Sequence, residues 1–230
     1  MKRKDLLALM LCIVMAFALA ACGSSGTDTE NTADEQQEAG TESEENAAAD
    51  QNTGGGNVLV VYFSRTGEQY GVGVIDKGNT AIVADMIVEA IGADSFEIVP
   101  QDDYYPYTYD ELTDVAKKEQ SENARPAYAD EVPDLSQYDT IFIGAPVWWG
   151  DWPMICYTFF ENNADALAGK TLIPFCTHAG SGLSGFDSKL SSAVPGSKVG
   201  EGLAISGSDA QNEQDSVRSE VNDWLSKLGF

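Results

Sequence analysis

The chain predicts an α/β domain, a doubly wound parallel sheet with helices on both faces, carried behind an export signal. Three observations point there. Short apolar runs without polar alternation recur at 57–63, 140–144 and 170–176, which is how strands buried on both faces read. Segments with helical spacing of apolar residues lie between them. Glycine and hydroxyl residues gather just after those runs, where an open parallel sheet collects its ligands.

The front of the chain is different. Met1-Lys2-Arg3-Lys4 carries three positive charges, and the sixteen residues from Leu6 to Ala21 carry none. That is shorter than the roughly 20 residues of a bilayer-spanning helix and has the layout of a secretory signal over 1–21. Leu19-Ala20-Ala21-Cys22 resembles the bacterial lipobox, and the small residues Gly23-Ser24-Ser25-Gly26 follow it. The resemblance implies that Cys22 becomes an acylated N-terminus. Two or more acyl chains hold a protein stably on a bilayer, so the expected location is the extracytoplasmic face of a cell membrane. No twin-arginine pair stands in the signal, so the chain is expected to cross unfolded.

Residues 22–56 hold nine acids, no bases, and no aromatic or branched aliphatic side chain. Such a segment cannot bury enough apolar area to offset its ordering entropy and reads as an extended, disordered acidic tether. Residues 57–230 hold 27 acids against 10 bases and suit one domain with a sizeable core. This acidity argues against nucleic acid or an anionic bilayer as partner and favours a basic protein. With Cys12 lost and Cys22 lipidated, Cys156 and Cys176 remain, to pair outside the cytoplasm or to sit as buried thiols. No metal-ligand spacing occurs, and His178 is the sole histidine.

Each element of the domain follows in order. The first strand, 57–63, ends at Ser64. Asn79-Thr80 opens a helix to Ile91, with Ile82, Val83, Met86, Ile87 and Ala90 at helical spacing and Gly92 as its stop. Phe96 to Val99 reads as a short second strand halted by Pro100. A tyrosine-rich loop leads to a polar helix over 110–122. Thr140 to Gly144 is the third strand, 153–168 a helix, and Lys170 to Cys176 the fourth strand. A short helix over 186–192, a weaker fifth strand over 199–205 and an amphipathic helix over 209–228 close the chain. Alternating strands and helices imply parallel pairing with right-handed crossovers.

Three loops at strand ends then carry the chemistry. Ser64-Arg65-Thr66-Gly67 offers hydroxyls and free N–H groups near a helix N-terminus, the makings of an anion site. Ala145 to Pro153 contains Trp148, Trp149 and Trp152, flat rings suited to a flat ligand. Cys176-Thr177-His178-Ala179-Gly180-Ser181-Gly182 is a run of small residues that lets backbone approach a ligand edge.

Together these loops resemble those of the flavodoxin family, in the branch with Pro-x-Trp-Trp-Gly in the second loop. The resemblance spans 57–230 and implies a flavodoxin-like five-stranded sheet in the order 2-1-3-4-5, with FMN as cofactor. By position it implies that Ser64, Arg65, Thr66, Gly67, Asn79 and Thr80 surround the phosphate. Pro146, Val147, Trp148, Trp149 and Gly150 would flank the isoalloxazine, with Trp149 as the stacking ring. Thr177, His178, Gly180, Ser181 and Gly182 would face its pyrimidine edge. One departure is plain: eleven residues, Glu68 to Gly78, separate Gly67 from Asn79. This insertion either loops out and leaves the phosphate cradle closed, folds over the flavin as a flap, or spoils the site. Arg65 and Lys77 are the nearest cations.

The implied function is an FMN-binding electron carrier or small oxidoreductase at the membrane, with a basic or membrane-bound redox partner. A flavin-dependent quinone or nitro reductase, or a flavodoxin-fold binding module that no longer holds FMN, are the alternatives. No catalytic acid, base or nucleophile stands out. A chain exported unfolded must acquire FMN outside the cytoplasm, where nicotinamide donors are scarce, and this favours a carrier.

Overall fold

A computed structural model of the protein describes residues 57–230. The predicted signal, Cys22 and the tether lie outside the described residues. Five strand positions form one sheet. The strands are β1 (Val58–Tyr62), β4 (Asp94–Glu97), β5 (Thr140–Pro146), β6 (Thr171–His178), and β7 (Lys198–Val199) with β8 (Leu203–Ser206). The order is β4-β1-β5-β6, with β7 and β8 side by side along β6 and every pairing parallel. Counting β7 and β8 as one position, this is the predicted order 2-1-3-4-5.

Successive residues of β1 feed opposite cores. Leu59 and Val61 join Ile141, Ile143, Ile155 and Phe159 on one face, while Val60 joins Phe142, Val83, Ile87 and Trp224 on the other. Side chains alternate along a strand, so two apolar faces give the unbroken apolar run seen in the sequence. The helices α1 (Asn79–Ile91) and α7 (Gln214–Leu228) cover one face, and α3 (Met154–Asn162) and α5 (Phe186–Ala193) the other. Gly92 closes α1 in the left-handed region at φ 65°, its N–H donating to the Val88 carbonyl.

Four predicted elements differ. The second strand lies at Asp94–Glu97, earlier than expected, because its register against β1 pairs Leu59 with Asp94. The fifth strand is broken. Between the pairs Leu172–Val199 and Phe175–Leu203, β6 spends two residues where its neighbour spends three. Pro174 falls at that break; it has no N–H for a ladder, and strand prolines sit at such bulges. The helix after β5 divides into α3 and α4 (Ala164–Leu167) at Asn163, whose φ −118° and ψ 14° are not helical. The last helix divides into α6 (Gly207–Asn212) and α7 at Glu213.

The insertion forms a separate antiparallel hairpin of β2 (Gly67–Gln69) and β3 (Gly73–Ile75). Next to it in space runs α2 (Tyr109–Glu122). Cys156 and Cys176 are free and buried, and burial pushes the Cys176 thiol up to about 12. Among the described residues no helix is long and apolar enough to cross a membrane, and no cluster of His, Cys, Asp or Glu could hold a metal.

Candidate functional site

A cavity of about 570 Å³ opens at the carboxyl ends of β5, β6 and β8, the edge where a parallel sheet presents its ligands. Pro146 to Trp149, Thr177 to Ala179 and Ser206 to Ser208 line it from those three strand ends. Asn79 lines it from the start of α1, and Tyr109, Leu112, Thr113 and Ala116 from α2. The hairpin tip, Gln69 to Gly71, completes the wall.

The second loop is built as a tight turn. The Val147 N–H donates to the Thr177 carbonyl at 2.8 Å, extending the ladder by one bond, and Trp148 and Asp151 then exchange backbone bonds of 3.0 and 2.9 Å. The two central residues, Trp149 at φ 51° and Gly150 at φ 75°, both have positive φ, as a two-residue hairpin of this hand requires. Glycine meets that demand freely, while tryptophan is strained by it. Trp149 is 53 % exposed. Its ring N–H donates to the Thr113 carbonyl at 3.0 Å, and the Lys117 ammonium stands 4.9 Å from its ring centre.

Its neighbours have other tasks. Trp148 meets Phe63 and Tyr105 edge-on at 5.3 and 5.0 Å and presents its remaining surface to the cavity. Trp152 is buried and stacked on Phe186 at 3.8 Å. It is a core residue.

The first loop keeps its connection to α1 despite the insertion. Ser64 Oγ accepts the Ala81 N–H at 3.0 Å, and the Gly78 carbonyl accepts that of Ile82 at 3.2 Å. A Cβ on Gly78 would lie 2.2 Å from Ser64 Oγ and 2.6 Å from the Arg65 carbonyl oxygen, so the two ends of the insertion press together and only glycine fits. The hairpin is looped out, and its tip bends over the cavity. Of the orphan N–H groups at the head of α1, those of Asn79 and Thr80 have no partner among the described residues. The Thr80 and Thr177 hydroxyls hydrogen-bond at 2.8 Å in a buried position and tie the first loop to the third.

The two predicted cations are engaged elsewhere. The Arg65 guanidinium donates to the carbonyls of Glu68 and Pro106, and Lys77 pairs with Asp85. Among the described residues no lysine or arginine lines the cavity.

Behind Trp148, the Tyr105 hydroxyl donates to Glu119 Oε2 at 3.2 Å. Glu119 is 3 % exposed, and its Oε1 has no partner among the described residues. Burial raises its pKa, more than the hydrogen bonds of Tyr104 and Tyr105 lower it. A carboxyl whose folded pKa is raised supports the fold most below its unfolded value and loses that contribution as pH rises through the folded one. Glu119→Gln should therefore match wild type in acid and gain on it as pH climbs above the ordinary carboxylate range, read by urea midpoints from pH 4 to 8. A pH-independent difference would contradict the assignment.

The flavodoxin family profile matches residues 57–227. The chain belongs to the flavodoxin family. Its fold is similar to that of a candidate flavoprotein from Bacteroides uniformis, at 32 % identity and TM-score 0.58, covering 75 % of this chain and 99 % of that one. A second, from Bacteroides eggerthii, is 28 % identical with TM-score 0.57, covering 76 % and 98 %. A Lactobacillus acidophilus flavoprotein solved with FMN shares 21 % identity and TM-score 0.54, covering 70 % and 99 %. No curated protein matches the chain.

Set against the flavodoxin motifs, the structure brings Asn79, Pro146, Val147, Trp148, Trp149, Thr177 and His178 together around the cavity. Ser64 and Thr80 are not in its lining and hold the loops that form it. Thr66 is outside the lining too, its carbonyl accepting from Gln69 at 3.4 Å, and Gly67 packs against Tyr107. Gly150 makes the turn. Gly180 donates its N–H to His178 Nδ1 at 2.9 Å, while Gly180 and Gly182, at φ 102° and 61°, shape the third loop around Ser181. Sequence reasoning gave a flap over the flavin as one course for the insertion without singling out Gln69, Tyr70 or Gly71, and it missed the α2 stripe and Ser206 to Ser208. The last could have been found, since a Ser-Gly-Ser run directly after the fifth strand obeys the same strand-end rule as the other three loops.

Proposed function

We propose that this chain is an FMN-binding electron-transfer protein held by a lipid anchor at the extracytoplasmic face of a bacterial membrane. The observation that carries the reading is the aromatic cavity at the strand ends of a flavodoxin-family domain. Its volume lies within the roughly 300–1,000 Å³ of small-molecule sites, and Trp148 and Trp149 supply flat apolar walls. The free N–H groups of Asn79 and Thr80, at the positive end of the thirteen-residue α1, suit a phosphate. Ser206 and Ser208 line the same cavity; their hydroxyl oxygens accept from the Asp209 N–H and the Asn212 amide, which leaves each O–H to donate.

Bound there, FMN supplies reversible one- and two-electron transfer. The protein sets the conditions. A domain with 27 acids and 10 bases disfavours added negative charge on the cofactor and so lowers its potential, and it draws a basic redox partner. A second reading, a binding module without FMN, is favoured by one observation, that among the described residues no lysine or arginine lines the cavity.

The deciding experiment adds FMN to the purified protein and records the visible spectrum and flavin fluorescence. The expected result is a yellow protein with quenched flavin emission. A colourless protein that leaves FMN emission unchanged would turn the assignment to the binding module. If FMN binds, slow reduction by a nicotinamide donor is expected of a carrier, and rapid turnover with a quinone or nitro compound would identify a reductase.

A further inference from the structure

We propose that the hairpin of β2 and β3 is part of the ligand site, and that Tyr70 at its tip is a second aromatic wall which, with Trp149, clamps a planar ring. The inference rests on the FMN reading and goes beyond it by assigning a binding role to a segment outside the family's usual motif.

The hairpin is fastened at its base and free at its tip. The Glu68 N–H donates to the Tyr107 carbonyl at 3.0 Å, and Glu68 Oε2 accepts the Tyr109 N–H at 2.9 Å. Arg65 holds the carbonyls of Glu68 and Pro106 from below. Beyond these contacts Gly71 and Gly73 turn the chain at φ 70° and 89°. Tyr70, at this tip, is 64 % exposed and still lines the cavity. Its ring rests 5.6 Å from that of Tyr109, tilted by 40°.

The clamp follows from where the two rings are seated. Tyr70 leans on Tyr109, and Trp149 donates to the carbonyl of Thr113. Those two anchors are one turn apart on α2, about 6 Å along the helix axis. A planar ring between two apolar faces needs about 7 Å, two carbon contacts of roughly 3.5 Å each. Leu112, between the two anchors along α2, lines the same cavity. A ring held this way offers its edge to solvent and hides its faces. That suits electron exchange with a docked protein and obstructs a donor that must stack face-on.

The test compares wild type, Tyr70→Ala and Tyr70→Phe of the full chain, titrated with FMN and followed by flavin fluorescence. Tyr70→Ala is expected to raise Kd about tenfold and to recover part of the bound flavin's emission, while Tyr70→Phe keeps wild-type affinity and quenching. The side chain's exposure means that all three should melt alike. Wild-type affinity and quenching in Tyr70→Ala would overturn the clamp and leave the cofactor assignment intact. Failure of wild type itself to bind FMN would overturn both.

Discussion

Replacing Trp152 with alanine is expected to cost about 3–5 kcal/mol of stability, the range for deleting a large buried aromatic. The ring is 1 % exposed and stacks on Phe186 with planes 23° apart, while Phe160 meets it edge-on at 5.3 Å. Its indole N–H donates to the Phe186 carbonyl at 3.2 Å, so truncation opens a void and also removes a buried hydrogen bond, although that carbonyl begins α5 and keeps its place in the helix ladder. For a domain of this size each kcal/mol moves Tm by about 2–4 °C, and the variant should melt roughly 6–20 °C below wild type. Trp152→Phe keeps the stack and should recover much of the loss. A Trp152→Ala protein within about 1 kcal/mol of wild type by thermal and urea melts would remove the ring from the core.

The fold was legible because its strands carry an unusually direct signal. Leu59-Val60-Val61 and Ile141-Phe142-Ile143 each feed two cores, so their backbone state shows without reference to partners. The β4 edge strand lacks that signal. Asp94-Ser95-Phe96-Glu97 is largely exposed, and its register comes from hydrogen bonds to β1 rather than from its own side chains. The helix breaks were hidden for a similar reason. Asn163 and Glu213 leave helical geometry with no proline or glycine at either point.

The site was legible to the extent that it follows strand ends. Its second and third loops form the cavity as the strand-end rule implies. The α2 wall was not readable, because Leu112 and Ala116 keep the same helical spacing whether they face a core or a ligand space. The tryptophans could not be sorted by sequence either. Trp148, Trp149 and Trp152 fall within five residues, yet one braces the cavity wall, one is exposed at its mouth and one is core. What separates them is the turn at Trp149-Gly150, which holds Trp149 out while the chain on either side runs inward.

That turn leads to a paired expectation for Trp149→Gly. An L-residue in the left-handed region carries roughly 1–2 kcal/mol of strain, and Trp149 sits there at φ 51°. Glycine would relieve it. Against this stand a lost bond to the Thr113 carbonyl and a lost Lys117 contact on a half-exposed ring, worth about 0.5–1 kcal/mol each. The two sides nearly cancel, so stability should stay within about 1 kcal/mol of wild type. FMN affinity should not: losing a stacking ring is worth roughly 1–3 kcal/mol, on the order of a ten- to hundredfold rise in Kd, with flavin emission restored. Melts and flavin titrations of the one variant measure both quantities. A large loss of stability with affinity retained would make Trp149 a structural residue. The expected pattern, strain kept at no gain to the fold and released only with loss of the ligand, is how backbone strain at a binding site shows itself.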